Sequence, residues 1–226
     1  MIGVKIRVAV MAYSERTTDI PEHRKMTPKD YWDMRARGLG ASRRTPVVSC
    51  AEENLLNYRG DSYSTENILI HEFGHGIHGV GLAAVDPTFN TRLRKAYKDA
   101  MAKGLWKGTY AASNPGEYWA EAVQSWFDTN RQNDSQHNHV DTRPELKAYD
   151  PDVAKLADEV FGDGPWRYVR PDHRKDKAHL AGYDPGSAPT FKWEPRLLEA
   201  RKKHYDEVKR KSEQDRANKA SAKSQD

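Results

Sequence analysis

Few strands and several helices, written in separate blocks, predict an α+β fold: a small mixed sheet, a histidine-bearing central helix and a mainly helical C-terminal part. Three observations carry this. One segment near the N-terminus alternates with period two. Several later segments repeat apolar residues at helical spacing between clear start and stop signals. From about residue 163 the text turns rich in proline and glycine and loses periodicity.

In order, Val4, Ile6, Val8 and Val10 alternate with Lys5, Arg7 and Ala9, the pattern of a half-buried strand with one wet face. "TPKDYWDMRARG" reads as a short helix capped by Thr27, with Pro28 at its first position and Gly38 after its end. "PVVSCA" and "NLLNYRG" read as two short strands joined by a turn at Glu52 and Glu53. Ser64 or Thr65 caps the next helix, which Gly79 and Gly81 end. Phe89, Leu93, Tyr97 and Met101 mark an amphipathic surface helix that stops at Gly104. Asn114-Pro115 and Asp150-Pro151 open two more. The expected organisation is a main domain over 1–162 that holds all of these elements, a Pro/Gly-rich wrap over 163–194, and a basic helical tail over 195–226 that is partly disordered.

The 226 residues can enclose one sizeable core. With 31% charged residues and a mean hydropathy of -0.95, the apolar residues must be concentrated in a few segments. No run is long enough for a membrane span. Lys5 and Arg7 interrupt the first apolar run, so it does not read as a signal peptide. A single cysteine, Cys50, excludes an internal disulfide and a cysteine metal cluster, and reads as a small buried residue. The net charge of +4 is concentrated in the tail, which reads as a solvated helix rather than a nucleic-acid site.

The chemistry lies in "ILIHEFGHGIHG", residues 68–79. His71 and His75 are four apart, so a helix puts both imidazoles on one face, one turn apart, where they can meet one zinc ion. Glu72 is rotated about 100° from His71 and can reach a water on that ion as a general base. Chance produces His-Glu-x-x-His in only about 2% of chains of this composition, so the motif points to metal rather than to structural histidines. A catalytic zinc needs a third protein ligand. His78 would have to reach along the axis, and position 81, where the long zincin motif has a histidine, is Gly81. Glu117 is the better candidate: it shares one helix side with Glu121, opposite Trp119, Val123 and Trp126. Glu121 would then hydrogen-bond the far nitrogen of a ligand histidine. A competing reading makes Glu117 the capping-box partner of Asn114. Gly74 and Gly76 would let a neighbouring backbone or core approach the ligands.

"ENILIHEFGHGIH" followed by "GTYAASNPGEYWAEAVQSWFD" resembles the zinc metallopeptidase domain of anthrax lethal factor and the lethal factor-like peptidases, over roughly residues 45–80 and 105–130. Tyrosine, six residues, glutamate, three residues, glutamate is the more specific part of the likeness. The resemblance implies a zincin-like fold of the gluzincin type. It implies one Zn2+ held by His71, His75 and Glu117, with Glu72 as base, Tyr110 facing the oxyanion, and Glu121 supporting a ligand from behind. It also implies a peptide or protein substrate and leans towards secretion; by adding to an exposed sheet edge, that substrate would lie extended beside Val47–Ala51 or the segment 55–59. Nothing after about residue 145 matches, so the toxin's substrate preference does not transfer. Two other readings compete: a zinc or peptide-binding module without turnover, and nucleic-acid binding through the tail or through "HNHVD" at 137–141.

Overall fold

Strands β1 (Arg7–Met11) and β2 (Val47–Ala51) pair in parallel, Arg7 opposite Val47 and Met11 opposite Ala51, in this computed structural model, which describes residues 5–223. Between them in sequence lies helix α1 (Lys29–Arg35), and after them α2 (Glu52–Leu55). The histidine helix α3 (Ile68–Gly76) runs on through a π-helical stretch, Ile77–Leu82, into α4 (Ala83–Val85). Then come α5 (Phe89–Ala102), α6 (Pro115–Trp126), α7 (Arg143–Tyr149), α8 (Pro151–Phe161) and α9 (Pro195–Lys223). The architecture is mixed α and β, mostly helical with a small sheet, as the sequence predicts. No helix among the described residues is long and apolar enough to cross a membrane.

The chain divides into two compact units. The first comprises Met1–Glu15 and Arg37–Phe191. Its core gathers Trp119, Trp126 and Tyr118 of α6 with Phe89 and Leu93 of α5, Leu146 of α7, and Val153 and Leu156 of α8. Helix α6 is buried almost all round, because α3, α5, α7 and α8 pack against it. Inside the core, Tyr118 Oη and, from the segment before α6, Trp106 Nε1 both donate to Asp150, at 2.7 and 2.8 Å. Residues 163–191 wrap this unit without long elements. Tyr168 N–H donates to the Phe127 carbonyl and Phe191 N–H to that of Arg59. The second unit comprises Arg16–Ala36 and Lys192–Asp226, with α1 packed on α9 and Arg16 held by Glu194 at 2.6 Å.

Several local expectations change. In β1 it is Ala9 and Met11 that turn inward, while Val8 and Val10 are about half exposed. Met11 packs against the buried Arg37 guanidinium, and this register sets the face. Val4, the first residue of the predicted alternation, lies outside the described residues. Segment 54–59 is not a strand. Glu53 is drawn inward by Arg37, at 2.6 Å, and the Asn54 side chain caps neighbouring backbone, accepting from Ile68 N–H and donating to the Tyr63 and Glu66 carbonyls. These polar demands need a helical turn, not a ladder. Helix α1 begins after Pro28, one residue later than predicted. Asn67, rather than Ser64 or Thr65, caps α3 by accepting from Ile70 N–H at 2.9 Å. Gly79 and Gly81 do not end that helix; they loosen it into the π-helical stretch.

A short antiparallel bridge completes the sheet. Leu39 and Ser49 exchange both backbone hydrogen bonds, 3.2 and 2.9 Å, on the side of β2 away from β1. Val47–Ala51 therefore has neighbours on both sides, and the outer extended segment beside α3 is 38–41. The glycines there are required. A Cβ on Gly40 would lie 2.5 Å from His75 Cβ, and one on Gly38 2.4 Å from Ile68 Cγ2. Gly76 plays the predicted part from the helix side, where a Cβ would meet Val48 at 3.2 Å. Gly74 does not, since its nearest neighbour, Val123, would be at an ordinary 3.4 Å.

Candidate metal centre

Three side chains converge where α3 meets the first turn of α6. Asn114 caps α6, accepting from Gly116 and Glu117 N–H at 2.8 and 3.1 Å, and Pro115 occupies the first helical position. With the cap supplied by Asn114, the Glu117 carboxylate is turned to the histidines. Its Oε2 lies 3.1 Å from His71 Nε2 and 3.1 Å from His75 Nε2, and the two Nε2 atoms are 3.2 Å apart. This is a nearly equilateral triangle of three potential ligand atoms, His71 buried and the other two half-buried.

The triangle fits a metal ion by its own dimensions. A tetrahedral ion with bonds of about 2.0–2.1 Å spaces its ligands about 3.3–3.4 Å apart. A proton can bridge one edge of such a triangle, but not all three at once. The charge pattern agrees. Burial pulls the His71 imidazole down, yet Glu117, Glu72 and Glu121 together outweigh it and hold it up at about 10. Burial pushes Glu117 up, and the two histidines override this and keep it well below the usual carboxylate range. Three acidic groups around His71 make a site that demands positive charge.

Glu72 sits half-buried one residue on, its Oε2 3.3 Å from where a Cβ on Gly40 would fall, so the glycine leaves room for the carboxylate. The Tyr110 ring stacks on His71, with centroids 6.3 Å apart and planes 29° apart, and its backbone N–H is held by the Gln136 carbonyl at 2.7 Å. His78 lies apart from the triangle: its Nε2 meets Asn90 Oδ1 at 2.6 Å and its ring packs near Phe89. Burial also draws its pKa down.

Glu121 is buried behind His71, but its Oε1 is 3.5 Å from Nδ1. The nearer partner is Gln124 Oε1, at 2.7 Å, a residue that sequence reasoning missed. Its signal was position: seven residues after Glu117 it returns to the same helix face. Glu121 is engaged by Asn130 at 3.0 Å and His137 at 3.4 Å. Glu66, Glu121 and His137 form a second buried cluster. There the positive charge is already supplied, by Arg131 at 2.9 Å from Glu66 and by His137, whose pKa Glu121 and Asp134 raise against the effect of burial. This also accounts for "HNHVD": it lies in a loop, with His137 held by Glu121 and Asp134 and His139 packed on Tyr149.

No family model and no characterised protein matches the sequence. Among solved structures, a PRO-PRO endopeptidase from Paenibacillus alvei is similar over 68% of this chain and 78% of its own, at 19% identity and a TM-score of 0.43. A likeness of that degree carries no argument about function, which rests on the site itself.

Proposed function

We propose that the chain is a zinc-dependent endopeptidase in which His71, His75 and Glu117 hold one zinc ion. The single observation that supports this most is the triangle of their ligand atoms, with edges of 3.1, 3.1 and 3.2 Å. Its likeness to the lethal factor-like, gluzincin-type peptidases belongs to this proposal and rests on the motif residues. Bound there, zinc supplies a Lewis acid that polarises a carbonyl and lowers the pKa of water. Glu72 accepts a proton from the attacking water on its carboxylate and hands it to the departing amine. Tyr110, fixed against the His71 ring, donates its hydroxyl proton in a hydrogen bond to the developing oxyanion. The substrate is an extended peptide lying along 38–41, where alternate peptide groups of the Leu39–Ser49 bridge point away from β2.

A binding module without turnover keeps the same ligands. Glu72, half-buried one residue after His71, favours catalysis, because a binding site needs no base there. A peptide-library digest with wild type, wild type plus chelator, and Glu72→Gln separates the two. Cleavage that chelator and Glu72→Gln both abolish, with zinc still bound in the variant, supports the enzyme. Zinc binding without cleavage of any peptide leaves the module.

A further inference from the structure

An imidazole can ligate a metal through Nε2 only if that nitrogen offers a lone pair, so the other must carry the proton. In His71 the acceptor for that proton is Gln124 Oε1, at 2.7 Å. An amide can turn over and present its NH2 instead, which would force the wrong tautomer. Here the other end of the amide is pinned. Gln124 Nε2 lies 2.9 Å from Glu66 Oε2 and 3.4 Å from the Asn67 carbonyl. A backbone carbonyl never donates. Glu66 Oε1 is in turn 2.9 Å from Arg131 Nε, an ion-pair separation although the N–H is not aimed along it; burial raises the Glu66 pKa, and the Arg131 charge and the Gln124 amide oppose that rise. Gln124 and Glu66 are both buried, so water does not scramble the order.

We infer that Gln124, locked by Glu66 and Arg131, is the positioning residue that keeps the proton of metal-bound His71 on Nδ1, so that Nε2, facing Glu117 and His75, is the nitrogen that gives up its proton and offers the lone pair. The inference rests on the proposal that His71 binds zinc. It moves the supporting role from Glu121 to a residue three positions on. It also changes the chemistry, because a neutral amide adds less electron density to the ring than a carboxylate does, and leaves more of the ion's charge to act on what it binds.

The test is zinc affinity, measured by competition with a chromophoric chelator, with the melting of each zinc-free protein as a check on folding. Gln124→Leu removes the acceptor and should weaken zinc binding about 10–100-fold. Glu66→Gln touches no ligand, yet it frees the Gln124 amide to turn and should weaken binding about tenfold. The double variant Glu66→Gln with Gln124→Glu conserves total charge and restores the order of donors. The new amide at 66 keeps its oxygen beside the Arg131 charge and donates to the new carboxylate at 124, which accepts from His71. It should return to within about threefold of wild type, a coupling that simple structural damage does not produce. Wild-type affinity in Glu66→Gln, or a double variant no better than the single, overturns the inference while the metal site stands. Failure of wild type to bind zinc overturns the site reading instead. Should the variants not fold, nitrogen-15 spectra of histidine in the zinc-loaded wild type decide. Nδ1 protonated and Nε2 bound is expected for His71, and the reverse refutes it.

Discussion

Gly40→Ala adds one methyl group at a position no motif marks. Built on the backbone, that Cβ falls 2.5 Å from His75 Cβ and 3.3 Å from both the carbonyl oxygen and Oε2 of Glu72. Carbon atoms in contact sit at about 3.5–4.0 Å, so segment 38–41 or helix α3 must give way by about 1 Å or more. Neither moves freely, since Leu39 is tied to Ser49 and helix α3 already has Val123 of α6 against it at Gly74. Overpacking of this kind costs about 1–3 kcal/mol of stability. The effect on chemistry is larger, because a displacement of about 1 Å at a catalytic group lowers turnover by about 100-fold. The assay is thermal melting, zinc titration and peptide cleavage for Gly40→Ala beside Gly164→Ala, where a Cβ meets nothing within 4 Å. The control should match wild type. A Gly40→Ala protein with wild-type melting, zinc affinity and turnover would refute the placement of this segment over the histidine helix.

His78→Ala should keep full zinc content, because His78 is bonded to Asn90; loss of the metal would return it to the ligand set. In the zinc-free protein His71 is held at about 10, above its ordinary 6.5, so the stability it contributes is complete below about pH 6.5 and drains away as the pH climbs towards 10. Glu117 is shifted down, so its share is present above its ordinary 4.5 and lost as the pH falls. Melting of the zinc-free protein should therefore decline between pH 7 and 10, and zinc uptake at pH 7.5 should release about one proton, read by calorimetry in buffers of different ionisation heat. No proton release at that pH would contradict the charge state given to His71. Arg37→Met leaves Glu53 buried without its partner at 2.6 Å and should cost about 3–5 kcal/mol in denaturant unfolding. A loss below about 1 kcal/mol would show that the pair is not buried in solution.

The convergence of the candidate ligands was legible because helical spacing is local. His71, Glu72 and His75 fall on one or two adjacent helix faces wherever the helix packs, and Asn114-Pro115 fixes where α6 starts, so Glu117 enters in its first turn, where its carboxylate faces α3. What could not be read depends on partners distant in sequence. Gln124 looks like any polar residue near a helix end until Glu66 and Asn67 are seen to grip its amide. Gly38 and Gly40 look like loop glycines until the bridge to Ser49 draws them over α3. Segment 54–59 has strand-like letters, and only the burial of Glu53 against Arg37 and the capping by Asn54 show why it turns instead. Period two in β1 was visible too, but which face is inward depends on Met11 meeting Arg37, 26 residues away.

X-ray absorption at the zinc edge of the loaded protein tests the central claim most directly. The account predicts one zinc per chain with two imidazole nitrogens and oxygen donors at about 2.0–2.1 Å, and one imidazole fewer in His75→Ala. A first shell without two imidazoles in wild type, or one unchanged by His75→Ala, would contradict it.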